Sequence, residues 1–256
     1  MAYKSLREFM DELDRAGDLV RVVAPVSPHL EMTEIQTRLM AEGGPAVLFE
    51  NPVYEDGTPY GVPVLVNLFG TVERVARGMG RKPSELKSVG ETLAFLRQPE
   101  PPGGWREALE MAPLLKTVMS MKPKTVKSAP CQEVVLEGDQ VDLAKFPIQG
   151  CWPGEPAPLI TWPLVITEGP DPKGDKRDVA NLGIYRMQVT GRNTTLMRWL
   201  HHRGGAQHFQ RWKASGRTDP MPLAVAIGAD PGTILAAVTP VPDTLSEYQF
   251  AGLLRG

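Results

Sequence analysis

Asn181–His208, NLGIYRMQVTGRNTTLMRWLHHRGGAQH, holds three of the four histidines and four arginines, in a protein whose formal net charge is −2. Its segments NLGIYRMQV and TTLMRWLHH are rich in β-branched and aromatic residues and read as strands. Gly191-Arg192-Asn193 between them reads as a three-residue hairpin loop, because Asn tolerates positive φ. That register pairs Thr190 with Thr194 and sets Arg186 opposite Arg198 on one face. Like charges placed so are unfavourable, and an anion between them resolves the conflict, since the guanidinium fork suits phosphate or carboxylate. The plain alternative is a register shifted by one, with both arginines in solvent. HRGGA adds Arg203 and two glycines ahead of a short helix, GAQHFQRWKASG, whose N-terminus favours an anion.

The imidazoles are harder to place. His201 and His202 are adjacent and point to opposite faces of a strand. Period two puts His202 on the face of Arg198 and Leu200, and His208 on the following helix. Without a carboxylate at fixed helical spacing nearby, the histidines alone are a weak metal signal. Glu247 reads as a helix cap, Asn181 as a turn residue before a strand, and Trp152 in CWPGEPAP as a core or pocket ring.

Outward from this stretch, two units are expected: residues 1–120 as an N-terminal α/β domain and 121–256 as a strand-rich domain. In the first, Ser5-Leu6-Arg7-Glu8 is a capping box opening a helix that Gly17 stops. A second helix runs from Glu31 to Glu42. PAVLFE and VPVLVN are short buried strands, and TVERVARGMG, SELKSVGETLAFLRQ and WREALEMAPLLKTVMSM are helices. In the second, CQEVVLEGDQVDL reads as apolar stretches around a polar turn, LITWPLVIT as strand, and PLAVAIG as a buried strand followed by TILAAV. TLSEYQFAGLLRG starts an amphipathic helix with Thr244 and Glu247 at capping-box spacing. Leu253 and Leu254 lack an evident partner, so the chain reads as the front part of a longer protein.

Composition narrows the function. The chain has 256 residues, 42% hydrophobic and 23% charged, which suits a packed globular core. Near-neutral charge gives no general affinity for nucleic acid, so any anion site must be local. Two cysteines, Cys131 and Cys151, make neither a disulfide framework nor a thiolate zinc site. No signal peptide or apolar run of membrane-spanning length is visible, and a cytoplasmic location is the default. No G-x-G-x-x-G, P-loop, G-x-S-x-G or H-E-x-x-H occurs.

The segments EMTEIQTRLMAEGGPAVLFEN, LVNLFGT, PAPLITWPLVIT, NLGIYRMQV, MRWLHHRGGA and ILAAVTPVPDTLSEYQFAGLLRG together resemble the UbiD decarboxylases, in particular the polyprenyl-hydroxybenzoate carboxy-lyases of ubiquinone biosynthesis. The resemblance implies an α+β protein whose second unit is a split barrel. That barrel would hold prenylated FMN, a divalent metal, commonly Mn2+, and often K+. Residue by residue, it implies Asn181, His202 and Glu247 as metal ligands, with His201 open as the alternative histidine. It implies Ile184, Tyr185, Arg186, Arg198, Trp199, Leu200, Arg203 and Gly204 as cofactor contacts. Arg186 would also be catalytic, working with acidic residues beyond Gly256, so the fragment alone is expected to be inactive.

The implied reaction is reversible non-oxidative decarboxylation of an aromatic or α,β-unsaturated acid. The implied partners are the small-molecule aromatic acid, a flavin prenyltransferase that supplies the cofactor, and further copies of the chain when full length. A prenylated substrate implies peripheral contact with the inner face of the membrane, and no nucleic acid is expected. The rival reading is a non-catalytic flavin- or phosphate-binding module. Asn181 and Arg186 stand five apart, opposite faces of a regular strand. Asn181 must therefore precede the strand, or Gly183 must mark a bulge.

Overall fold

The computed structural model describes residues 3–97, 121, 123–175, 179–241 and 245–255. The helix expected in WREALEMAPLLKTVMSM and the Thr244 cap lie outside them.

Helix α1 (Leu6–Arg15) is capped as expected, with Glu8 N donating to Ser5 Oγ. The reciprocal bond to the Glu8 carboxylate comes from Lys4 N rather than from Ser5. Gly17 follows at φ +72, a conformation glycine adopts freely. Strand β1 (Leu19–Val22), helix α2 (Glu31–Ala41) and strand β2 (Ala46–Phe49) make a βαβ unit, β1 pairing parallel to β2. Strand β3 (Val64–Val66) adds antiparallel to β2. β2 is apolar throughout because both its faces are covered. Ala46 and Leu48 pack with Phe9 and Leu13 of α1, whereas Val47 and Phe49 pack with Met32 of α2.

Helix α3 (Val72–Gly78) is tied to this unit by the buried Arg74, which donates to Gly44 O, and by Arg77, which pairs with Asp18; helix α4 (Leu86–Arg97) follows. The segment read as CQEVVLEGDQVDL is not strand: it forms short 3-10 turns at Pro130–Gln132, Gly138–Gln140 and Leu143–Lys145. Val134, Val135 and Leu136 there are exposed, so the apolar run finds no sheet to bury it.

Two antiparallel sheets follow. Strands β4 (Leu159–Ile160), β7 (Met187–Gly191) and β8 (Thr194–Met197) form one, in the order β4-β7-β8. Strands β5 (Leu164–Thr167), β6 (Asn181–Ile184) and β9 (Leu223–Ala226) form the other, in the order β6-β5-β9. The class is mixed α+β, and among the described residues the sheets do not close into a barrel. β9 is an edge strand with Leu223 and Val225 exposed, correcting the expected buried strand.

TILAAV, which follows β9, forms most of helix α6 (Pro231–Val238). Asp230 caps it, accepting from Thr233 N, and Pro231 opens it. Helix α5 (Gly204–Ala214) connects β8 to β9, and helix α7 (Glu247–Arg255) follows α6. Ser246 and Gln249 form a capping box at the start of α7: Ser246 Oγ accepts from Gln249 N, and Gln249 Oε1 accepts from Ser246 N. Leu253 and Leu254 do have partners, packing with Met121, Ala236, Leu245 and Phe250. Their burial contributes roughly 1.5–3 kcal/mol each. Gly78 of α3 lies against Leu235 and Pro231, where a Cβ would stand 3.1 Å from Leu235, which ties the first unit to α6. Among the described residues no helix is long and apolar enough to cross a membrane.

Candidate functional site

The two strand segments of the 181–208 stretch divide differently from the expected hairpin. β7 and β8 pair Met187 with Met197 and Gln188 with Leu196, the expected register. A bulge between Val189 and Gly191 then shifts the turn, so that Gly191 pairs with Thr194 and the loop is the two residues Arg192-Asn193. Thr190 keeps only a side-chain bond to Thr194 Oγ1, at 3.3 Å. Arg186 and Arg198 flank the last ladder pair, both exposed and both outside the strands. Because β8 stops at Met197, the period-two argument that joined His202 to Arg198 and Leu200 does not apply.

The conflict between Asn181 and Arg186 is resolved by neither expected device. Asn181 is inside β6, paired with Thr167, and Gly183 pairs regularly with Val165. The chain instead leaves β6 after Ile184 and enters a different sheet at Met187, with Tyr185 and Arg186 at the crossing. Gly183 makes room for this: a Cβ there would stand 2.7 Å from the Tyr185 ring. The ring lies back along the strand over Gly183, and its hydroxyl reaches Asn181, four residues upstream.

A directional chain of hydrogen bonds results. Gly205 N, in the first turn of α5, donates to Tyr185 Oη at 3.3 Å. Tyr185 Oη donates to Asn181 Oδ1 at 3.2 Å, and Asn181 Nδ2 donates to Glu247 Oε1 at 2.9 Å. Leu182 N donates to the other Glu247 oxygen at 3.2 Å. Burial pushes the Glu247 carboxyl above its ordinary value, while its own backbone N–H, Leu182 N, Asn181 and the charge of His208 pull the other way. Burial also raises the Tyr185 phenol, opposed by the Gly205 N–H.

Asn181 and Glu247 are thus brought together, and Gly204 sits on them, a Cβ there falling 2.6 Å from Asn181 Cγ. His202 is not in this cluster: it is exposed in the turn before α5, edge-on to His201. His208 is buried and shares a 2.9 Å hydrogen bond with Thr167 Oγ1, directly across the β5–β6 ladder from Asn181. Sequence reasoning passed over Thr167, whose position opposite Asn181 depends on a strand pairing no local signal reveals.

Among the cofactor candidates, Ile184 packs onto the core of Leu164, Leu182 and Ile234. Trp199 lies over Gly205, edge-on to Tyr185 with ring centroids 6.0 Å apart. Its indole N–H is buried and has no hydrogen-bond partner among the described residues, a donor whose desolvation costs about 1–3 kcal/mol until an acceptor arrives. Arg203 stands at the N-cap of α5 with no side-chain cap bond, and Leu200 O accepts from Arg203 N. Arg198, Leu200 and Arg203 are exposed. A helix N-terminus without a side-chain cap from Arg203, two glycines, the buried Trp199 N–H and two exposed guanidinium groups suit a phosphate-bearing ligand. Asn181 Oδ1 and the Glu247 carboxylate are hard oxygen donors of the kind manganese or magnesium takes. Cys131 is exposed and Cys151 buried, and burial holds the Cys151 thiol above its ordinary value.

The arrangement is a strand-to-helix junction, at which the first turn of α5 meets the hydrogen-bonded Asn181–Glu247 pair. Residues 124–256 match the 3-octaprenyl-4-hydroxybenzoate carboxy-lyase Rift-related domain, and residues 10–93 match the N-terminal domain of the same enzymes. The chain belongs to the UbiD family. Its structure is similar to the closed form of vanillic acid decarboxylase from Sedimentibacter hydroxybenzoicus (TM-score 0.78, 26% identity, covering 100% of this chain and 49% of that one). It is also similar to an evolved dimeric form of the UbiD-class enzyme HmfF from Pelotomaculum thermopropionicum, in complex with prFMN (TM-score 0.69, 26% identity, 98% and 51%). The fold is shared with the 3,4-dihydroxybenzoic acid decarboxylase of Enterobacter cloacae (TM-score 0.70, 22% identity, 100% and 49%). The chain spans about half the length of these solved structures.

Proposed function

We propose that this chain is the cofactor-binding portion of a carboxy-lyase that decarboxylates an aromatic, polyprenyl-hydroxybenzoate-like acid without net oxidation, as in ubiquinone biosynthesis. The two sheets of β4–β9 are read as parts of a split barrel that holds prenylated FMN. The observation that carries the reading is the junction of Asn181 and Glu247 with the N-terminus of α5, beside the unpartnered Trp199 N–H. Support also comes from the bound prFMN of a UbiD-class neighbour.

In this reading Arg198, the Trp199 N–H, Arg203 and the Gly204 turn hold the cofactor phosphate, with Ile184, Tyr185 and Leu200 beside it. Asn181 and Glu247 hold a divalent metal, Mn2+ by preference, with His202 supplying the imidazole and K+ as an accessory ion. When bound, the modified flavin supplies an electron sink for the electron pair left by departing CO2. Arg186 orients the substrate carboxylate through its planar fork. Without metal, Tyr185 holds Asn181 Oδ1 and the amide N–H rests on Glu247; metal binding would turn the amide so that Oδ1 reaches the ion, and the covered faces of β5 and β6 exclude water from the buried end of the site. A flavin prenyltransferase supplies the cofactor, and the full-length protein assembles into a homo-oligomer at the cytoplasmic face of the membrane.

The test is CO2 release from a 3-polyprenyl-4-hydroxybenzoate by the protein carrying this sequence, made together with a flavin prenyltransferase. Release that falls by at least about 100-fold in Arg186→Gln supports the reading. Equal release from wild type and variant contradicts it.

A further inference from the structure

Residues 150–155, Gly-Cys-Trp-Pro-Gly-Glu, are built to hold one ring in one place. Trp152 O accepts from Glu155 N at 3.2 Å. Pro153 presets the first central position, and Gly154 occupies the second at φ +78, which makes this a type II turn. The Glu155 carboxylate braces the turn from within, accepting from Cys151 N at 2.8 Å and from Trp152 N at 3.3 Å.

The turn is also tied to the first unit. Leu30 N donates to Gly150 O at 2.8 Å, and Gly150 N donates to Pro28 O at 3.2 Å. Leu30 adopts φ +64 to do so, a left-handed conformation that costs a leucine about 1–3 kcal/mol. Gly150 permits the approach, since a Cβ there would stand 2.5 Å from His29 Nδ1.

Yet the ring so carefully held is not core: Trp152 is 50% exposed. What it meets is Arg186, whose guanidinium carbon lies 5.8 Å from the indole centroid, within cation–π range. Arg186 needs such a support. It is exposed, it stands in the gap between β6 and β7, and its long side chain has many rotamers to lose.

We propose that Trp152 is the positioning residue of Arg186, a fixed aromatic plate that holds the guanidinium at the β6–β7 crossing. Its bearing on decarboxylation rests on the role given to Arg186 above; the pairing itself does not.

Ring current from an indole face moves a proton above it upfield. With 15N-arginine in the chain, the Arg186 Nε–H signal is assigned by its loss in Arg186→Lys. That signal is expected to lose its upfield shift in Trp152→Leu and to regain part of it in Trp152→Phe. The Arg74 signal, from a side chain buried in the first unit, should stay in place throughout. An Arg186 signal that does not move in Trp152→Leu overturns the proposal. So does one that moves only together with Arg74, because that reports a general change of fold. Should Trp152→Leu not fold, a Trp152→Phe signal identical to wild type is the overturning result. The measurement uses no cofactor or substrate, so failure of the decarboxylase reading leaves its outcome unaffected.

Discussion

Asn181 and Glu247, 66 positions apart in sequence, are joined by a 2.9 Å hydrogen bond from the amide to the carboxylate. The bond is the last link in a series that begins at the N-terminus of α5 and passes through Tyr185. Each donor points toward the carboxylate, so the helix dipole and the side-chain dipoles act in the same direction on a half-buried carboxylate.

Tyr185→Phe removes the middle link and leaves the ring in place. Asn181 Oδ1 and Gly205 N each lose a partner, and the chain should be destabilised by about 1–3 kcal/mol. Denaturant unfolding measures this; a change within error would mean that water replaces the hydroxyl at no cost.

Gly183→Ala sets a methyl 2.7 Å from the Tyr185 ring. The expected loss is about 1–3 kcal/mol. The combination with Tyr185→Ala should cost less than the sum of the two single changes, because the clash partner is gone. Strict additivity in the double-mutant cycle would show that the ring does not lie over Gly183.

Glu247 gives the metal-free chain a pH signature. Its carboxyl is raised in the fold, so the folded state binds the proton more tightly than the unfolded state. The stabilisation is fully present below the ordinary carboxylate value and is lost as pH rises through the raised one. Adding Mn2+ at neutral pH should restore stability by binding the ionised group. Melting curves across acid and neutral pH, with and without Mn2+, test this. A Mn2+ effect equal at both would contradict it.

His202 and His208 separate by role. His202→Ala should weaken Mn2+ binding by at least about tenfold with little change in stability. His208→Ala should destabilise the fold, since Thr167 loses a buried partner. Mn2+ titration followed by electron paramagnetic resonance, alongside unfolding of both variants, distinguishes them. The reverse pattern would make His208 the ligand.

Local chemistry made much of this fold readable. Ser5 with Glu8 opened α1, and alternating cover explains why β2 is apolar on both faces. The errors share a physical origin in choices that tertiary contacts make. Ser246 with Gln249 closes the start of α7, and the Glu247 carboxylate faces Asn181. TILAAV is apolar enough for strand or helix, and the cap-and-proline pair Asp230-Pro231 decides for helix. In the site, Arg186, Arg198 and Arg203 stood out through charge, whereas Asn181 and Glu247 entered only through family resemblance. Nothing in their own neighbourhoods marks them, because their meeting depends on β6 lying against α7.

The most direct test of the central claim, that the α5 N-terminus and its arginines hold a flavin phosphate, is cofactor retention. The chain is produced with a flavin prenyltransferase and desalted, and bound flavin is read by absorbance and mass spectrometry. Wild-type chain should retain the prenylated flavin, and Arg198→Gln should lose it by at least about tenfold, the loss of a charge-assisted hydrogen bond of roughly 1.5–3 kcal/mol. Equal retention by Arg198→Gln, or no flavin on the wild-type chain, would contradict the account.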